Sequence, residues 1–370
     1  MKLIIIFCLC FSILSGCSGK VKPTLTPAAT PLSPTSTLVP TVTVNPAPTH
    51  APSPTLPPGA IFERNNLIGR AVNFGNALEA PNEGEWGVTL QEEYFPLIKN
   101  AGFTAVRIPI RFSNHAGAEA PYTIDAGFLA RVDWAVNHAL DQGLVAIVDM
   151  HHYVEIFEQP LDHKERFLAM WKQIAEHYQD YSPDLYFELL NEPNGQLTNE
   201  LWGQFAAEAV EIIRPTNPTR PIIVGPGEWN SAVQLQYFTP PEDANLIITF
   251  HYYSPFHFTH QGAEWADGSE AWMGTKWNGS DTLRLSMRSD LRLAAIWGKE
   301  HNRPIFLGEF GAYSKADMDS RALWTDAVAR TAEELGITWS YWEFCSGFGV
   351  YDSAAGRWNE PILDALIPRR

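Results

Sequence analysis

Cysteine is nearly missing from the body of this chain. Of four in 370 residues, Cys8, Cys10 and Cys17 lie in the first seventeen positions and only Cys345 lies beyond. No disulfide can form within the folded part, so its stability must come from a large core. Positive charge is scarce too. There are 26 Lys and Arg against 42 Asp and Glu, a net charge of −16 that repels phosphate backbones and excludes a nucleic-acid partner. The apolar run at residues 3–14 is too short to span a bilayer stably. The Gly-rich dinucleotide fingerprint is absent: the turn after the first apolar strand candidate reads Asn73-Phe74-Gly75-Asn76. Residues 18–58 contain no Asp, Glu, Phe, Trp or Tyr. Within them, the 38 residues 21–58 hold 11 Pro and 9 Thr, a composition that cannot bury a core and stiffens toward polyproline II.

What is present divides the chain in three. Lys2 and the apolar run before Ser15 form the positive and hydrophobic regions of a signal peptide, residues 1–16. The sequence Leu14-Ser15-Gly16-Cys17 resembles a bacterial lipobox, which implies cleavage before Cys17 and a lipid on its thiol. The alternative is an ordinary secretory signal with an incidental cysteine. Residues 17–58 read as a disordered Pro/Thr-rich linker, a stalk that holds a domain off the cell surface. The expected location is extracellular or on a bacterial surface, with membrane contact only through that anchor and a monomeric body. Residues 59–370 form the body. The first 58 residues carry three Lys and no acid, so the remaining 312 carry −19. Hydrophobic residues at 45% and charged residues at 18% are a globular balance.

In the body, apolar runs at 67–74, 104–110, 144–150, 185–190, 221–226, 246–251, 304–309 and 337–344 read as strands buried on both faces. Amphipathic stretches separate them. Phe128, Leu129, Val132, Ala135, Val136, Ala139 and Leu140 share one helical face, and Gly143 stops that helix. Phe167, Met170, Trp171, Ile174 and Tyr178 form a second stripe. Eight strands alternating with helices predict an α/β protein, a (β/α)8 barrel forming one catalytic domain, with a doubly wound open sheet as the alternative.

Chemistry in a barrel sits at the C-terminal strand ends. Those ends deliver Asn73, Asn76 and Glu79, then Arg107, His151 and His152, Asn191 and Glu192, Trp229, His251 and Tyr253, Glu309, and Trp342. Glu192 and Glu309 each follow a buried apolar run, where a lone carboxylate is costly. On the fourth and seventh strands they can face each other across the mouth with a ligand between them. Glycoside hydrolysis requires two such carboxylates, one to protonate the leaving oxygen and one to attack or to activate water.

Several stretches then carry a resemblance. Asn191-Glu192-Pro193 with Glu309, the run from Asn76 to Gly84, Val106-Arg107-Ile108-Pro109, His151-His152-Tyr153, His251-Tyr252-Tyr253, the run from Thr259 to Trp265 and Tyr341-Trp342-Glu343-Phe344 resemble glycoside hydrolase family 5. The likeness is closest to its branch of Cel5A-type bacterial endoglucanases and covers residues 62–367. It implies a cofactor-free retaining endo-β-1,4-glycosidase acting on β-glucans, with Glu192 as acid/base and Glu309 as nucleophile. It also allows glucomannan or mannan as substrate, and an endo-β-mannanase as the main activity.

The supporting residues have physical roles to fill. Arg107 can fork toward Glu309 and hold it ionised. Asn191 can bond the sugar 2-OH, and Tyr253 can donate to Glu309 beside His251. His151 and His152 can meet sugar hydroxyls, Asn76 and Glu79 can serve as donor and acceptor to a distal glucose unit, and Trp342 can floor the site. His260 and Trp265 lie in a matched loop, and Trp229 is a further loop aromatic. A metallohydrolase is the first rival, but adjacent histidines on a strand point to opposite faces and no metal-ligand spacing is present, so no metal is expected. A non-catalytic surface carbohydrate-binding protein is the second. It has no use for two opposed carboxylates.

Overall fold

A computed structural model describes Pro57 and residues 59–369. The signal peptide, Cys17 and nearly all of the linker lie outside the described residues. Eight parallel strands close into a barrel: β1 (Arg70–Asn73), β2 (Ala105–Ile110), β3 (Val145–Met150), β4 (Leu185–Glu188), β5 (Ile222–Val224), β6 (Leu246–His251), β7 (Ile305–Phe310) and β8 (Thr338–Tyr341). β1 pairs with both β2 and β8, which shuts the cylinder and excludes the open doubly wound sheet.

Alternation along the strands builds two cores. Val72, Val106, Val148, Phe187, Ile248 and Leu307 face outward and pack under the helices. Ala71, Ala105, Val145, Ile147, Tyr186, Ile223, Ile247 and Phe306 face inward and fill the lower barrel. The helix Ala60–Ile68 plugs its floor with Ile61 and Ile68. This corrects the first strand candidate. Leu67 and Ile68 end that helix, and Gly69, at φ 54°, turns the chain into a strand that starts at Arg70.

Long helices at Ala126–Asp141, Pro160–His177, Asn199–Ile213, Asp281–His301 and Met318–Glu334 cover the barrel. Asp125 caps the first through the Phe128 amide, and Thr198 and Asp317 cap two others in the same way. Between β5 and β6 the helix is replaced by the turn Gly227–Asn230 and the 3-10 segment Ala232–Tyr237. Among the described residues, no helix is long and apolar enough to cross a membrane.

Helix Asp281–His301 lies very close to β7. A Cβ on its Gly298 would sit 2.5 Å from Ile305 Cγ1 and 2.8 Å from the Arg303 carbonyl oxygen. Gly→Ala inside a helix ordinarily stabilises by about 1 kcal/mol. Here Gly298→Ala should instead destabilise by about 1–3 kcal/mol through overpacking. Urea unfolding checks this, and a raised midpoint would show that the helix and strand are not in such close contact.

Candidate active site

Above its apolar floor, the interior of the barrel turns polar. Asn73, Arg107, Asp149, Glu188, Thr249 and His251 occupy the inward positions one or two steps up the same strands, all buried. Arg107 is the hub. Its Nε and Nη2 donate to both oxygens of Glu188 at 2.7 and 2.9 Å. Nη1 donates to Glu309 at 2.8 Å and to Asn73 at 3.0 Å. Nη2 also reaches Asn191 Oδ1 at 2.9 Å and Asp149 Oδ2 at 3.0 Å. Burial works against the guanidinium charge, but Asp149, Glu188 and Glu309 outweigh it and hold the group charged.

Glu309 reaches the interior because β7 breaks its alternation. Phe306 and Gly308 face inward, so Glu309 would point out in a regular strand. The register shifts between Phe250 and His251 on β6, and between Leu307 and Phe310 on β7, turn it back in. Tyr253 donates to its Oε2 at 2.8 Å. Glu192 follows β4 in the left-handed region, at φ 47°, which lifts its carboxylate over the mouth. His251 Nδ1 bonds Glu192 Oε1 at 2.7 Å and lies 3.7 Å from Glu309 Oε2. One oxygen of Glu192 and one of Glu309 lie within 4.8 Å of each other. Burial raises both carboxyls to about 7. Glu309 is opposed in this by His251, Arg107 and the Tyr253 hydroxyl, and Glu192 by Arg107.

His151 is buried, with Nδ1 at 2.5 Å from Asp149 Oδ2, and it stacks parallel to Trp342 at 5.7 Å. His152 does not point to the opposite face. Both histidines lie past the end of β3, and His152 takes φ 52°, so the two rings meet edge to face at 4.5 Å. Asn191 accepts from Arg107 through its carbonyl oxygen. Asn76, at φ 65°, is half-buried on the rim. Glu79 is corrected: it is fully buried and accepts the Asn76 and Ala77 amides, so it shapes the turn that carries Asn76 and presents no acceptor to a sugar. His260 is buried and stacks on Phe256 at 4.1 Å. Trp265 is exposed on the edge of Tyr313, and Trp229 is exposed beside Pro193, whose carbonyl accepts its amide. Trp86, not singled out in the sequence, lies edge-on to His152 at 5.4 Å.

Sequence reasoning also passed over Asp149 and Glu188. Their signal was available: each is a lone acid within an apolar strand, and Asp149 is the strand-register partner of Glu188.

A closed parallel barrel with two carboxylates meeting over its C-terminal mouth is the arrangement of barrel glycoside hydrolases. The family model for cellulase, glycosyl hydrolase family 5, matches residues 69–347, and the chain belongs to this family. It is 38% identical over 312 residues to Endoglucanase H of Acetivibrio thermocellus, covering 83% of this chain and 33% of that protein. Crystal structures of Thermotoga maritima Cel5A, with mannotriose and with cellobiose, share 50% and 51% identity, each with a TM-score of 0.81. Each covers 83% of this chain and 99% of the solved one. The chain spans about a third of the curated relatives it matches first, 33% of Endoglucanase H and 35% of Cellulase/esterase CelE from the same organism.

The buried groups set opposite pH trends. Burial raises Glu79 to about 8 and Asp149, Glu192, Glu309 and Glu343 to about 7. The native state therefore holds more protons than the unfolded chain up to that range, and these groups lower stability as pH rises through it. Burial lowers His251 and His260 to about 4, and they lower stability as pH falls below the ordinary histidine range. The trends offset in mildly acidic solution, and as pH climbs past the ordinary histidine range the carboxyl trend prevails. Urea midpoints should fall from pH 6.5 to 8.5, and Glu79→Gln should flatten that fall. A midpoint rising over this interval would contradict the burial of these acids.

Proposed function

We propose that this chain is a retaining endo-β-1,4-glucanase in which Glu309 is the nucleophile and Glu192 the acid/base. The approach of their carboxylates within 4.8 Å carries the reading, since retaining enzymes keep the two groups about 5–5.5 Å apart and inverting ones about 6.5–9.5 Å. Membership of the cellulase family and similarity to endoglucanases support β-glucan as substrate.

Arg107 and Tyr253 both bond Glu309, while among the described residues Glu192 has only His251 as a side-chain partner. The proton of this coupled pair therefore resides on Glu192. Glu309 attacks the anomeric carbon as Glu192 protonates the departing oxygen. Glu192 then takes a proton from a water whose oxygen bonds the anomeric carbon, and the bond from that carbon to Glu309 breaks. Asn191 Nδ2 bonds the 2-OH, Trp342 with His151 behind it floors the reacting sugar, and Asn76, His152, His260 and Trp265 bound the groove. No metal or cofactor enters these steps. Mixed-linkage β-glucan should be hydrolysed faster than glucomannan, mannan or xylan, with EDTA present, and the first product seen by NMR should be the β-anomer. The α-anomer first would overturn the double displacement, and xylan as best substrate would overturn the glucan assignment.

We also propose that the protein is a monomer displayed on a bacterial surface by a lipid on Cys17, with the Pro/Thr-rich segment as its stalk. The lipobox-like Leu14-Ser15-Gly16-Cys17 and the composition of residues 18–58 support this. The mature protein should sediment with membranes and need detergent for release, whereas Cys17→Ala should be recovered in the soluble fraction. A Cys17→Ala protein that remains equally membrane-bound would refute the anchor.

A further inference from the structure

The histidine that holds Glu192 is itself held from behind by a residue with no part in the scheme above. Asn230 is completely buried and follows β5. It closes a run of three consecutive left-handed residues, Glu228, Trp229 and Asn230, at φ 52°, 57° and 53°. None is glycine, so the run is strained, and such strain persists only where the surroundings over-determine it. Those surroundings are visible. The Trp229 amide donates to the carbonyl of Pro193, next to Glu192, and Ser231 forms a parallel bridge with His251. The turn is thus tied at one end to the residue after the acid and at the other to the histidine.

The tie directs the Asn230 amide onto the imidazole. Nδ2 faces His251 Nε2 at 3.5 Å, while Nδ1 of the same ring bonds Glu192 Oε1 at 2.7 Å. Two glycines make room for this. A Cβ on Gly225 would sit 2.9 Å from Asn230 Oδ1, and one on Gly308 would sit 2.9 Å from His251 Nε2. The ring therefore rests against bare backbone on the Gly308 side and against the Asn230 amide beyond Nε2. With Nδ2 toward the ring and Oδ1 left without a partner on the Gly225 side, Nε2 presents a lone pair and the single ring proton sits on Nδ1, pointing at Glu192.

We propose that Asn230 is a positioning residue for Glu192: through its amide it fixes the orientation of His251 and the tautomer that donates from Nδ1. This rests on the assignment of Glu192 as acid/base. Without Asn230, the ring can take its proton on Nε2 and turn a lone pair toward Glu192, so the acid loses its fixed donor. The charged and titratable groups that face this ring are Glu188 and Glu192 from β4 and the turn after it, Glu309 from β7, Arg107 from β2 and His151 from the end of β3. A carboxylate at position 230 would join them on the Nε2 side and place the ring between two acids. The ring would then carry both protons, and an imidazolium beside Glu192 favours its ionised form.

The test compares Asn230→Ala, Asn230→Asp and Glu192→Ala with wild type on two substrates, cellotetraose and 2,4-dinitrophenyl cellobioside. The second has a leaving group that departs without a proton. Asn230→Ala should lower kcat/KM on cellotetraose at least about tenfold and leave the aryl substrate nearly unchanged, a weaker copy of Glu192→Ala. Asn230→Asp should move the alkaline limb of kcat/KM on cellotetraose down by about one pH unit or more. Histidine 15N shifts should show Nδ1–H at His251 in wild type and Nε2–H gaining in Asn230→Ala. Equal losses on both substrates with an unmoved limb and an unchanged tautomer would reduce Asn230 to a structural part and overturn the inference. Glu192→Ala showing no preference for the activated substrate would instead overturn the acid/base assignment beneath it.

Discussion

The upper barrel depends on one buried cation. Arg107 touches Asp149, Glu188 and Glu309 and the amide oxygens of Asn73 and Asn191, with no solvent access. A buried guanidinium is costly unless every donor is matched, and removing one partner from such a group costs more than the pair is worth. The converse also holds. Three carboxylates sharing one arginine cannot all be fully compensated, and burial accordingly raises Asp149 to about 7 and raises Glu188 as well. The hub therefore fixes geometry more than it adds stability. It ties Asn191, beyond the end of β4, to Glu309 on β7, two strands that share no ladder, and it holds Asp149, which holds His151, which backs Trp342.

A regular barrel could not present these groups, since strict alternation would leave Glu309 outside. Departures from regularity are concentrated at the mouth instead. Among the described residues, six of the eight non-glycine ones with left-handed backbone, Asn76, His152, Glu192, Glu228, Trp229 and Asn230, follow the C-terminal ends of β1, β3, β4 and β5. The bulged register of β7 adds a seventh re-aimed position. The opposite end of the barrel, with Ile61, Ile68 and Phe306, is apolar and regular. Stability comes from the apolar floor and the larger core under the helices, and the mouth departs from local rules because chemistry requires side chains that alternation does not supply.

That division explains what could be read beforehand. The strands were legible because parallel strands buried on both faces are continuous apolar runs, and the catalytic candidates because they punctuate those runs. The first strand was read too long because Leu67 and Ile68 are apolar for a different reason, as the floor plug on a helix, and only Gly69 separates them from Arg70. Glu79 was misread because an acid three residues from Asn76 looks the same whether it faces a ligand or folds back onto backbone amides. Asp149 and Glu188 sit inside the apolar runs 144–150 and 185–190, with apolar residues on both sides, and only the closed barrel shows that both turn inward onto Arg107. Nothing in the sequence marks Asn230, whose position depends on a left-handed turn that no propensity predicts.

The two glutamates show how far similar burial can yield different chemistry. Each is raised to about 7 with burial as the main cause, so burial alone assigns no roles. The partners do. Glu309 receives a guanidinium N–H and a phenol O–H, both donors to an anion, and Tyr253 cannot easily give up that proton because burial, then Glu309 and Glu192, raise its own ionisation. Glu192 meets one imidazole nitrogen, Nδ1 of His251, and is more open to solvent, with a quarter of its side chain accessible. Of two coupled acids, the one with more charge-stabilising donors ionises first, and its charge keeps the proton on the other. The asymmetry behind the roles proposed for the two glutamates is thus set by Arg107 and Tyr253, through hydrogen bonds that Glu192 does not share.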